Sequence, residues 1–218
     1  MAVEKPTVIR AEGAPKHPVL SIIVPVYNVE GYLDACLDSL QAQTFSDIEM
    51  VCVNDGSPDG SREILAKRQK EDARIVIVDK PNGGLSSARN AGINAACGTY
   101  IGFLDADDRF TPNACQRITE AFTETDADVV TFGGYCNPAE AATPWITLKL
   151  SPRDVVYDGF QPALMFEEQS TPYIRTACRK AFLDECGIRF EEALPFGEDQ
   201  VFFFDIYPNS RKTALISD

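Results

Sequence analysis

The sequence has a single histidine among its 218 residues, and this scarcity limits the metal chemistry open to it. That histidine, His17, falls in a polar N-terminal stretch, and none of the seven cysteines forms a C-x-x-C pair. Because zinc sites are built mainly from clustered histidine and cysteine, a site of that kind is excluded. An odd number of cysteines, several of them inside apolar segments, indicates buried free thiols in a reducing compartment.

Long apolar runs and an excess of basic residues are also missing. No run approaches the roughly 18 apolar residues that a membrane span needs, and the N-terminus lacks the apolar core of a signal peptide. The net charge of −13 disfavours binding to a phosphate backbone, so no nucleic-acid partner is expected. We therefore expect a cytoplasmic protein, or one at the inner face of the membrane.

Three common ligand-binding motifs are absent as well. Neither the P-loop pattern G-x-x-x-x-G-K-[ST] nor the dinucleotide pattern G-x-G-x-x-G occurs. The acidic stretch Asp105–Asp108 does not fit the calcium loop D-x-[DN]-x-[DN]-G. Arg109 stands where that loop requires Asp or Asn, and Phe110 stands where it requires glycine.

What the sequence does contain is a regular alternation of strand and helix patterns over residues 19–135. Apolar, β-branched runs such as Val19–Asn28 are typical of parallel strands buried on both faces, and Glu30–Gln43 has amphipathic helical spacing. The other predicted strands are Ile48–Asp55, Arg74–Asp79, Thr99–Asp107 and Asp128–Tyr135; the other predicted helices follow an N-cap at Ser61, cover Ser86–Ala96, and run from an N-cap at Thr111 to about Thr125. This order predicts an α/β fold with a mainly parallel sheet flanked by helices.

The regular alternation stops after Tyr135. We predict that residues 136–218 form a mixed second half of the same domain as 19–135, with Arg179–Cys186 and Glu198–Tyr207 helical. Residues 1–18, which are polar and rich in Pro, Gly and Ala, are predicted to be a disordered or extended tail.

Polar side chains follow successive predicted strands, where α/β proteins bind ligands. Asp55 follows the second strand, and Asp105 and Asp107 follow the fourth. An Asp-x-Asp pair supplies the oxygen ligands that Mg²⁺ or Mn²⁺ takes together with substrate phosphates. The alternative for Asp105 and Asp107 is an acidic turn that caps the next helix. The alternative for Asp55 is a plain turn that connects a strand to a helix.

Two further stretches carry candidate chemistry. Gly83 and Gly84 precede a helix in which Arg89 would help to bind a diphosphate; a glycine hinge with a surface arginine is the alternative. Glu198 and Asp199 begin a very apolar helix, where one carboxylate could have a raised pKa and act as a general base. Capping of that helix is the alternative.

Taken together, these stretches resemble the family 2 glycosyltransferases, which have the GT-A fold. The resemblance covers about residues 19–207 and is carried by the order and spacing of SIIVPVYNVEGYLDACLDSLQAQT, VNDGSPDGS, NGGLSSARNAGINAACGTYIGFLDADD and IRFEEALPFGEDQVFF. It implies transfer of a sugar, with inversion, from a nucleotide-diphosphate donor to an acceptor hydroxyl. It also implies that 19–135 is the nucleotide-sugar-binding half and 136–218 the acceptor-side half of the domain. Relatives commonly continue past a strand like TALISD, so this chain is expected to be C-terminally truncated.

The resemblance also implies individual roles. Asp107 matches the metal ligand for Mn²⁺ or Mg²⁺, Asp199 matches the catalytic base, and Glu198 is its neighbour. The residues expected to bind the donor nucleotide are Pro25, Val26, Tyr27, Asp55, Asn82, Arg89 and Asp105. The expected donor is a UDP-sugar, and the expected acceptor is a glycan or lipid-linked glycan of a cell-surface polysaccharide.

Several alternatives stay open at this point. A nucleotidyltransferase shares a similar fold but would need basic residues near the first strand, and VPVYNVEGYL has none. A non-catalytic sugar-nucleotide-binding domain is the second alternative. A homo-oligomer and peripheral membrane contact through a missing C-terminal part also stay open.

Overall fold

The computed structural model describes residues 5–136, 154–162, 164 and 175–217. Within these residues nine strands form one sheet, in the order β1-β4-β3-β2-β5-β8-β6-β9-β7. The strands are β1 (Thr7–Arg10), β2 (Leu20–Val26), β3 (Ile48–Asp55), β4 (Ile75–Lys80), β5 (Tyr100–Phe103), β6 (Val129–Phe132), β7 (Val155–Asp158), β8 (Thr176–Arg179) and β9 (Lys212–Ile216). The helices are α1 (Glu30–Gln41), α2 (Ser61–Glu71), α3 (Leu85–Ala95), α4 (Ala114–Thr125), α5 (Lys180–Glu185) and α6 (Glu198–Asn209).

The centre of the sheet is parallel and covered by helices on both faces. Strands β4, β3, β2 and β5 run parallel, and every residue of β2 and β3 is buried. Alternate residues of β2 face opposite layers: Ile22 packs with α1, α2 and α4, whereas Ile23 packs with α3, α5 and α6. The predicted α/β fold with a mainly parallel sheet and flanking helices is therefore confirmed.

The second half of the chain is woven into the same sheet. Strand β8 lies antiparallel between β5 and β6, and β9 runs parallel to β6. Helix α6 shares a hydrophobic layer with α3, because Phe202 and Ile206 belong to the same buried cluster as Ala88 and Ile93. The start of α6 lies near the carboxyl end of β5, where Asp199 bonds to Arg89 of α3.

A buried polar cluster ties the opposite, amino-terminal ends of the strands together. Glu49, with 0% of its surface exposed, accepts hydrogen bonds from Arg10 (2.7 Å), the Ser21 hydroxyl (2.6 Å) and the Cys97 backbone N–H (2.6 Å). Gly98 lies so close to Ser21 that a Cβ at position 98 would stand 2.5 Å from Ser21 Oγ. We name Arg10, Ser21, Glu49 and Cys97 the Glu49 cluster.

Some predicted boundaries differ from the structure. The predicted tail contains β1, which pairs antiparallel with the edge of β4. Strand β5 ends at Phe103 instead of Asp107, because the chain turns where the Asp108 N–H bonds to Asp105 O (2.9 Å). Strand β6 ends at Phe132 instead of Tyr135.

The predicted helix starts at Ser61 and Thr111 are also wrong as N-caps. Ser61 is the first residue of α2, and its N–H bonds to the Asp59 carboxylate (3.1 Å). Helix α4 begins at Ala114 because Gln43, far away in sequence, donates to Thr111 O (2.7 Å) and accepts from the Cys115 N–H (2.9 Å).

Four of the cysteines are buried, as predicted: Cys36, Cys52, Cys115 and Cys178. All of the cysteines are free thiols, and burial raises the pKa of Cys36 and Cys115 to about 12. In the part of the chain that the structure describes, no helix is both long and apolar enough to cross a membrane.

Candidate active site

The carboxyl ends of the parallel strands gather most of the polar residues singled out in the sequence. Asp55 ends β3, Lys80 ends β4, and the acidic turn Asp105–Asp108 follows β5. The first turns of α3 and α6 reach the same edge, because both helices pack on one face of the sheet. The structure thus brings segments that are about 100 positions apart in the sequence into one site, with Arg89 and Asp199 in direct contact.

Arg89 occupies the centre of this site and is almost completely buried, at 1% exposure. Its Nη1 donates to Asp199 Oδ1 (2.6 Å) and Glu198 Oε1 (3.1 Å), and its Nη2 donates to both carboxylate oxygens of Asp105 (3.0 and 3.3 Å). We name these four residues the Arg89 cluster. The surface-arginine alternative is therefore wrong, and the guanidinium faces carboxylates instead of an open diphosphate site.

The packing around this guanidinium is aromatic. Arg89 lies over the ring of Phe190, 5.1 Å from its centroid, and Phe190 stacks on Phe202 of α6 at 4.1 Å. Phe103, the last residue of β5, packs its edge against both rings. This wall excludes water from one side of the cluster and lowers the local dielectric constant.

Burial raises the pKa of Asp199 to about 6, with Glu198 and Asp105 adding to the rise and Arg89 opposing it. For Arg89, burial lowers the pKa, but the charges of Asp105 and Asp199 outweigh this and the net pKa is raised. Arg89 stays charged, and Asp199 is poised to gain or lose a proton near neutral pH. The sequence prediction of a raised pKa at the start of α6 agrees with this geometry.

The acidic turn after β5 divides into two parts. Asp105 is half-buried and tied to Arg89, whereas Asp107 and Asp108 are exposed. Among the residues that the structure describes, the side chains of Asp107 and Asp108 have no hydrogen-bond or ion-pair partner. The pKa of Asp108 is raised by partial burial and by the nearby charges of Asp107 and Asp105.

The described residues alone contain no group of three His, Cys, Asp or Glu side chains able to hold a metal ion. An Mg²⁺ or Mn²⁺ ion at Asp107 would therefore need further oxygen ligands from a bound phosphate or from water. Such ions are commonly held in this manner, by one or two carboxylates plus substrate phosphates. The free carboxylate of Asp107 fits that kind of site.

Asp55 has a more structural environment than the sequence indicates. Its buried carboxylate pairs with Lys80 and accepts hydrogen bonds from the backbone N–H groups of Gly83 (3.0 Å) and Gly84 (2.8 Å). Both oxygens thus hold the loop that leads into α3. The expected role of Asp55 in facing a nucleoside base stays a prediction.

The other expected nucleotide contacts are spread along the same strand ends. Pro25 and Val26 are buried, and Val26 belongs to the hydrophobic core, so their side chains do not line an open surface. Tyr27 and Asn82 are exposed at the ends of β2 and β4. A Cβ at Gly56, where φ is +65°, would stand 2.8 Å from Asn82 N. The glycine therefore lets the loop after β3 contact the loop after β4.

Sequence reasoning missed two functional neighbours. Lys80 is the cation that neutralises Asp55, and its position directly after a predicted strand was the available signal. Phe190 supports the Arg89 guanidinium, but nothing in the letters IRFEEAL distinguishes this ring from an ordinary core residue.

The chain and its fold have counterparts among known proteins. The model of the family described as "Glycosyl transferase family 2" matches residues 21–185. The chain is 38% identical over 205 residues to the "Uncharacterized glycosyltransferase EpsJ" of Bacillus subtilis, covering 92% of this chain and 59% of EpsJ. It is 33% identical over 207 residues to the "Minor teichoic acid biosynthesis protein GgaB" of the same species, covering 91% of this chain and 22% of GgaB.

Among solved structures, S. aureus TarS (residues 1–349) in complex with UDP superposes with a TM-score of 0.79 at 25% identity. The superposition covers 92% of this chain and 58% of that one, and it confirms the predicted GT-A fold. The chain spans 59% or less of the length of EpsJ and GgaB. With a family model that matches most of its residues, the chain belongs to glycosyl transferase family 2.

Proposed function

We propose that this chain is the donor-binding and catalytic part of an inverting glycosyltransferase. It would move a sugar from a UDP-sugar to an acceptor hydroxyl during synthesis of a cell-surface polysaccharide or glycan. The observation that carries the proposal is the pairing, in one site of a family 2 chain, of a buried carboxylate whose pKa is about 6 with a free exposed carboxylate.

Asp199 suits the part of the general base. A base works best when its pKa lies near the working pH. Burial has raised the pKa of Asp199 from the usual carboxylate range towards neutral pH. Inversion in a single displacement needs the base on the acceptor side of the sugar, opposite the departing diphosphate. Asp199 lies in the first turn of α6, on a different segment from the acidic turn, which allows the two groups to face the sugar from two directions.

The acidic turn suits the diphosphate end. Asp107, with Asp108 beside it, would hold a Mn²⁺ or Mg²⁺ ion together with phosphate oxygens. When bound, such an ion offsets the negative charge that develops on the leaving diphosphate. Asp105, which is half-exposed, would meet the nucleotide from the same turn.

Uridine is favoured as the nucleoside because TarS, the structural relative at 25% identity, has been solved in complexes with UDP and with UDP-GlcNAc. A polysaccharide or teichoic-acid type of acceptor is favoured by the similarity to GgaB, a minor teichoic acid biosynthesis protein. A nucleotidyltransferase is less favoured, since Arg89 and Lys80, two cations at this edge with little exposed surface, are already paired with carboxylates.

Donor binding can be tested by the thermal stability of the protein with UDP-GlcNAc, in the presence and absence of Mn²⁺. A ligand at about one hundred times its dissociation constant adds roughly 2.7 kcal/mol to the free energy of unfolding. We expect a stabilisation that depends on Mn²⁺ in the wild type and in the matched control Asp47→Asn, an exposed carboxylate at the other end of β3. The stabilisation should be lost in Asp107→Asn. If UDP-GlcNAc stabilised the wild type equally with and without Mn²⁺, the proposed metal dependence of donor binding would be wrong.

Transfer can be tested separately with Asp199→Asn. This variant should keep the Mn²⁺-dependent stabilisation by the donor and lose transfer by at least about 100-fold, since a general base contributes about 10²–10⁴-fold. Transfer at the wild-type rate would show that Asp199 is not the base. A wild type that binds the donor but never transfers the sugar, with any acceptor supplied, would favour the non-catalytic sugar-nucleotide-binding domain.

A further inference from the structure

We propose that Arg89 is a positioning residue for transfer: one buried guanidinium fixes the carboxylate of Asp199 relative to the acidic turn after β5. The inference rests on the proposed function, because it assigns Arg89 a part in aligning the base with the donor. It replaces the expectation that Arg89 contacts the nucleotide itself.

The guanidinium bridges three separate segments. Arg89 belongs to α3, and its two terminal nitrogens reach Asp199 on α6 (2.6 Å) and Asp105 in the turn after β5 (3.0 Å). These nitrogens lie in a rigid plane with a fixed separation, so the two carboxylates are held at a fixed separation as well. A shift of either segment would break at least one of these hydrogen bonds.

Arg89 cannot act by touching the substrate directly. Its side chain is 1% exposed, with Phe190 against one face of the guanidinium and carboxylates at both terminal nitrogens. Any effect on the reaction must therefore pass through Asp199 and Asp105. Misplacement of a reacting group by about 1 Å can lower a reaction rate about 100-fold. Loss of such indirect positioning should therefore lower the rate of transfer measurably.

The arrangement also differs from one built for stability alone. One positive charge is shared by three carboxylates, and Arg89 Nε is buried without a hydrogen-bond partner among the residues that the structure describes. Burying excess charge and an unsatisfied donor opposes folding. Residues that persist at such a cost are concentrated at functional sites.

A lysine could supply the charge of Arg89 but not its geometry. An ammonium group is a single point, whereas the guanidinium presents separate nitrogens to Asp105 and Asp199 at once. Arg89→Lys therefore separates positioning from charge, and Arg89→Met removes both.

The pH profile gives a second readout. The charged groups that face Asp199 are Arg89 from α3, Glu198 from its own helix and Asp105 from the turn after β5. Arg89 lowers the pKa of Asp199, whereas the two carboxylates raise it. Since the base must be deprotonated, loss of the Arg89 charge should move the acidic limb of the kcat profile to higher pH.

The experiment compares wild type, Arg89→Lys, Arg89→Met and a matched control in a transfer assay with UDP-GlcNAc and Mn²⁺ over a range of pH. The control is Arg68→Lys, because Arg68 also binds two carboxylates, Asp34 (2.8 Å) and Asp38 (2.7 Å), but on the surface. We expect Arg89→Lys to lower kcat at least tenfold with the donor KM within about twofold, and Arg89→Met also to displace the acidic limb to higher pH. Arg68→Lys should match the wild type.

Wild-type kcat in Arg89→Lys, or an unmoved acidic limb in Arg89→Met, would overturn the inference. If neither Arg89 variant folds, Glu198→Gln carries the test: it keeps an oxygen acceptor for Nη1 but removes a charge that raises the pKa of Asp199, so the limb should move to lower pH. An unmoved limb in Glu198→Gln would also overturn it.

A measurement that needs no reaction separates this inference from the proposed function. The carboxyl ¹³C resonance of Asp199, assigned by its loss in Asp199→Asn, can be titrated in the wild type and the Arg89 or Glu198 variants. A displaced titration in a protein that never transfers sugar would count against the proposed function alone. An undisplaced titration in an active protein would count against the role of Arg89 alone.

Discussion

The Glu49 cluster and the Arg89 cluster lie at opposite ends of the same parallel strands, and each joins an arginine to buried carboxylate. In the Glu49 cluster, one carboxylate faces one arginine, and its remaining hydrogen bonds come from a neutral hydroxyl and a neutral backbone N–H. In the Arg89 cluster, one arginine faces three carboxylates. The first is balanced in charge, whereas the second has an excess of negative charge in a poorly solvated place.

This difference separates two uses of buried charge. The Glu49 cluster, which is balanced in charge and hydrogen-bonded, holds β1, β2, β3 and the segment before β5 together. Its members need no bound ligand to compensate their charge. An unbalanced cluster is less stable by itself, but its excess charge shifts pKa values and attracts cations. The comparison predicts that removing a carboxylate should have opposite effects on stability at the two ends.

The largest effect on stability is expected at the balanced end. Glu49→Ala leaves Arg10 without its carboxylate and the Ser21 hydroxyl and Cys97 N–H without an acceptor, so it should lower the free energy of unfolding by about 3–5 kcal/mol. Urea denaturation measures this, with the exposed neighbour Asp47→Ala as the control. A loss below about 1 kcal/mol would mean that the cluster contributes little.

The opposite sign is expected at the unbalanced end. The folded-state pKa of Asp199 is raised from 3.8 to about 6, so its ionisation opposes folding, and Asp199→Asn should stabilise the protein by at most about 3 kcal/mol at pH 7.5. The gain should be absent below about pH 4, grow as the pH rises to about 6, and stay constant above that. Denaturation curves at several pH values measure it, and a destabilised variant at pH 7.5 would contradict the comparison.

A smaller effect tests how tightly the balanced end is packed. In Gly98→Ala the new Cβ would stand 2.5 Å from Ser21 Oγ and 2.7 Å from Ser21 N, so we expect a loss of about 1–3 kcal/mol. Gly31→Ala is the matched control: it lies in α1 with open space around it and should stabilise by about 0.5–1 kcal/mol. Equal effects of the two changes would contradict the close packing at Gly98.

The smallest effect isolates the contribution of burial. Arg68 binds Asp34 and Asp38, an excess of carboxylates like that around Arg89, but Asp38 is 64% exposed. Asp38→Asn should change the free energy of unfolding by no more than about 0.5 kcal/mol, because solvent screens exposed pairs. A change as large as that of Asp199→Asn would show that charge excess alone, without burial, produces the effect.

The sequence was most informative where structure depends on local pattern. The limits of β3 match the prediction at both ends, since a run of buried β-branched and apolar residues between polar turns defines such a strand. The start of α4 was missed because Gln43, two residues beyond the end of α1 and about 70 positions away, bonds to the first turn of α4. Strand β8 inserts between β5 and β6, and no local pattern could reveal that pairing.

The same limit applies to the site. Periodicity and motif order predicted that Asp107, Asp199 and Arg89 lie at one edge of the sheet. They did not predict which of these side chains is exposed to solvent. Arg89 stands in SSARNAG, where an arginine of a helix can equally face water or the interior. In the fold it faces the interior, where its bond to Asp199 joins residues 110 positions apart.

Strand β1 has a practical consequence for anyone who shortens the chain. Its four residues cover the outer edge of β4, whose residues Ile75–Val78 are all buried. Removing residues 1–18 as a dispensable tail would leave a row of unpaired backbone groups along an apolar strand, which is a template for pairing between molecules. Such a protein is expected to aggregate during purification, even if the Arg89 cluster remains intact.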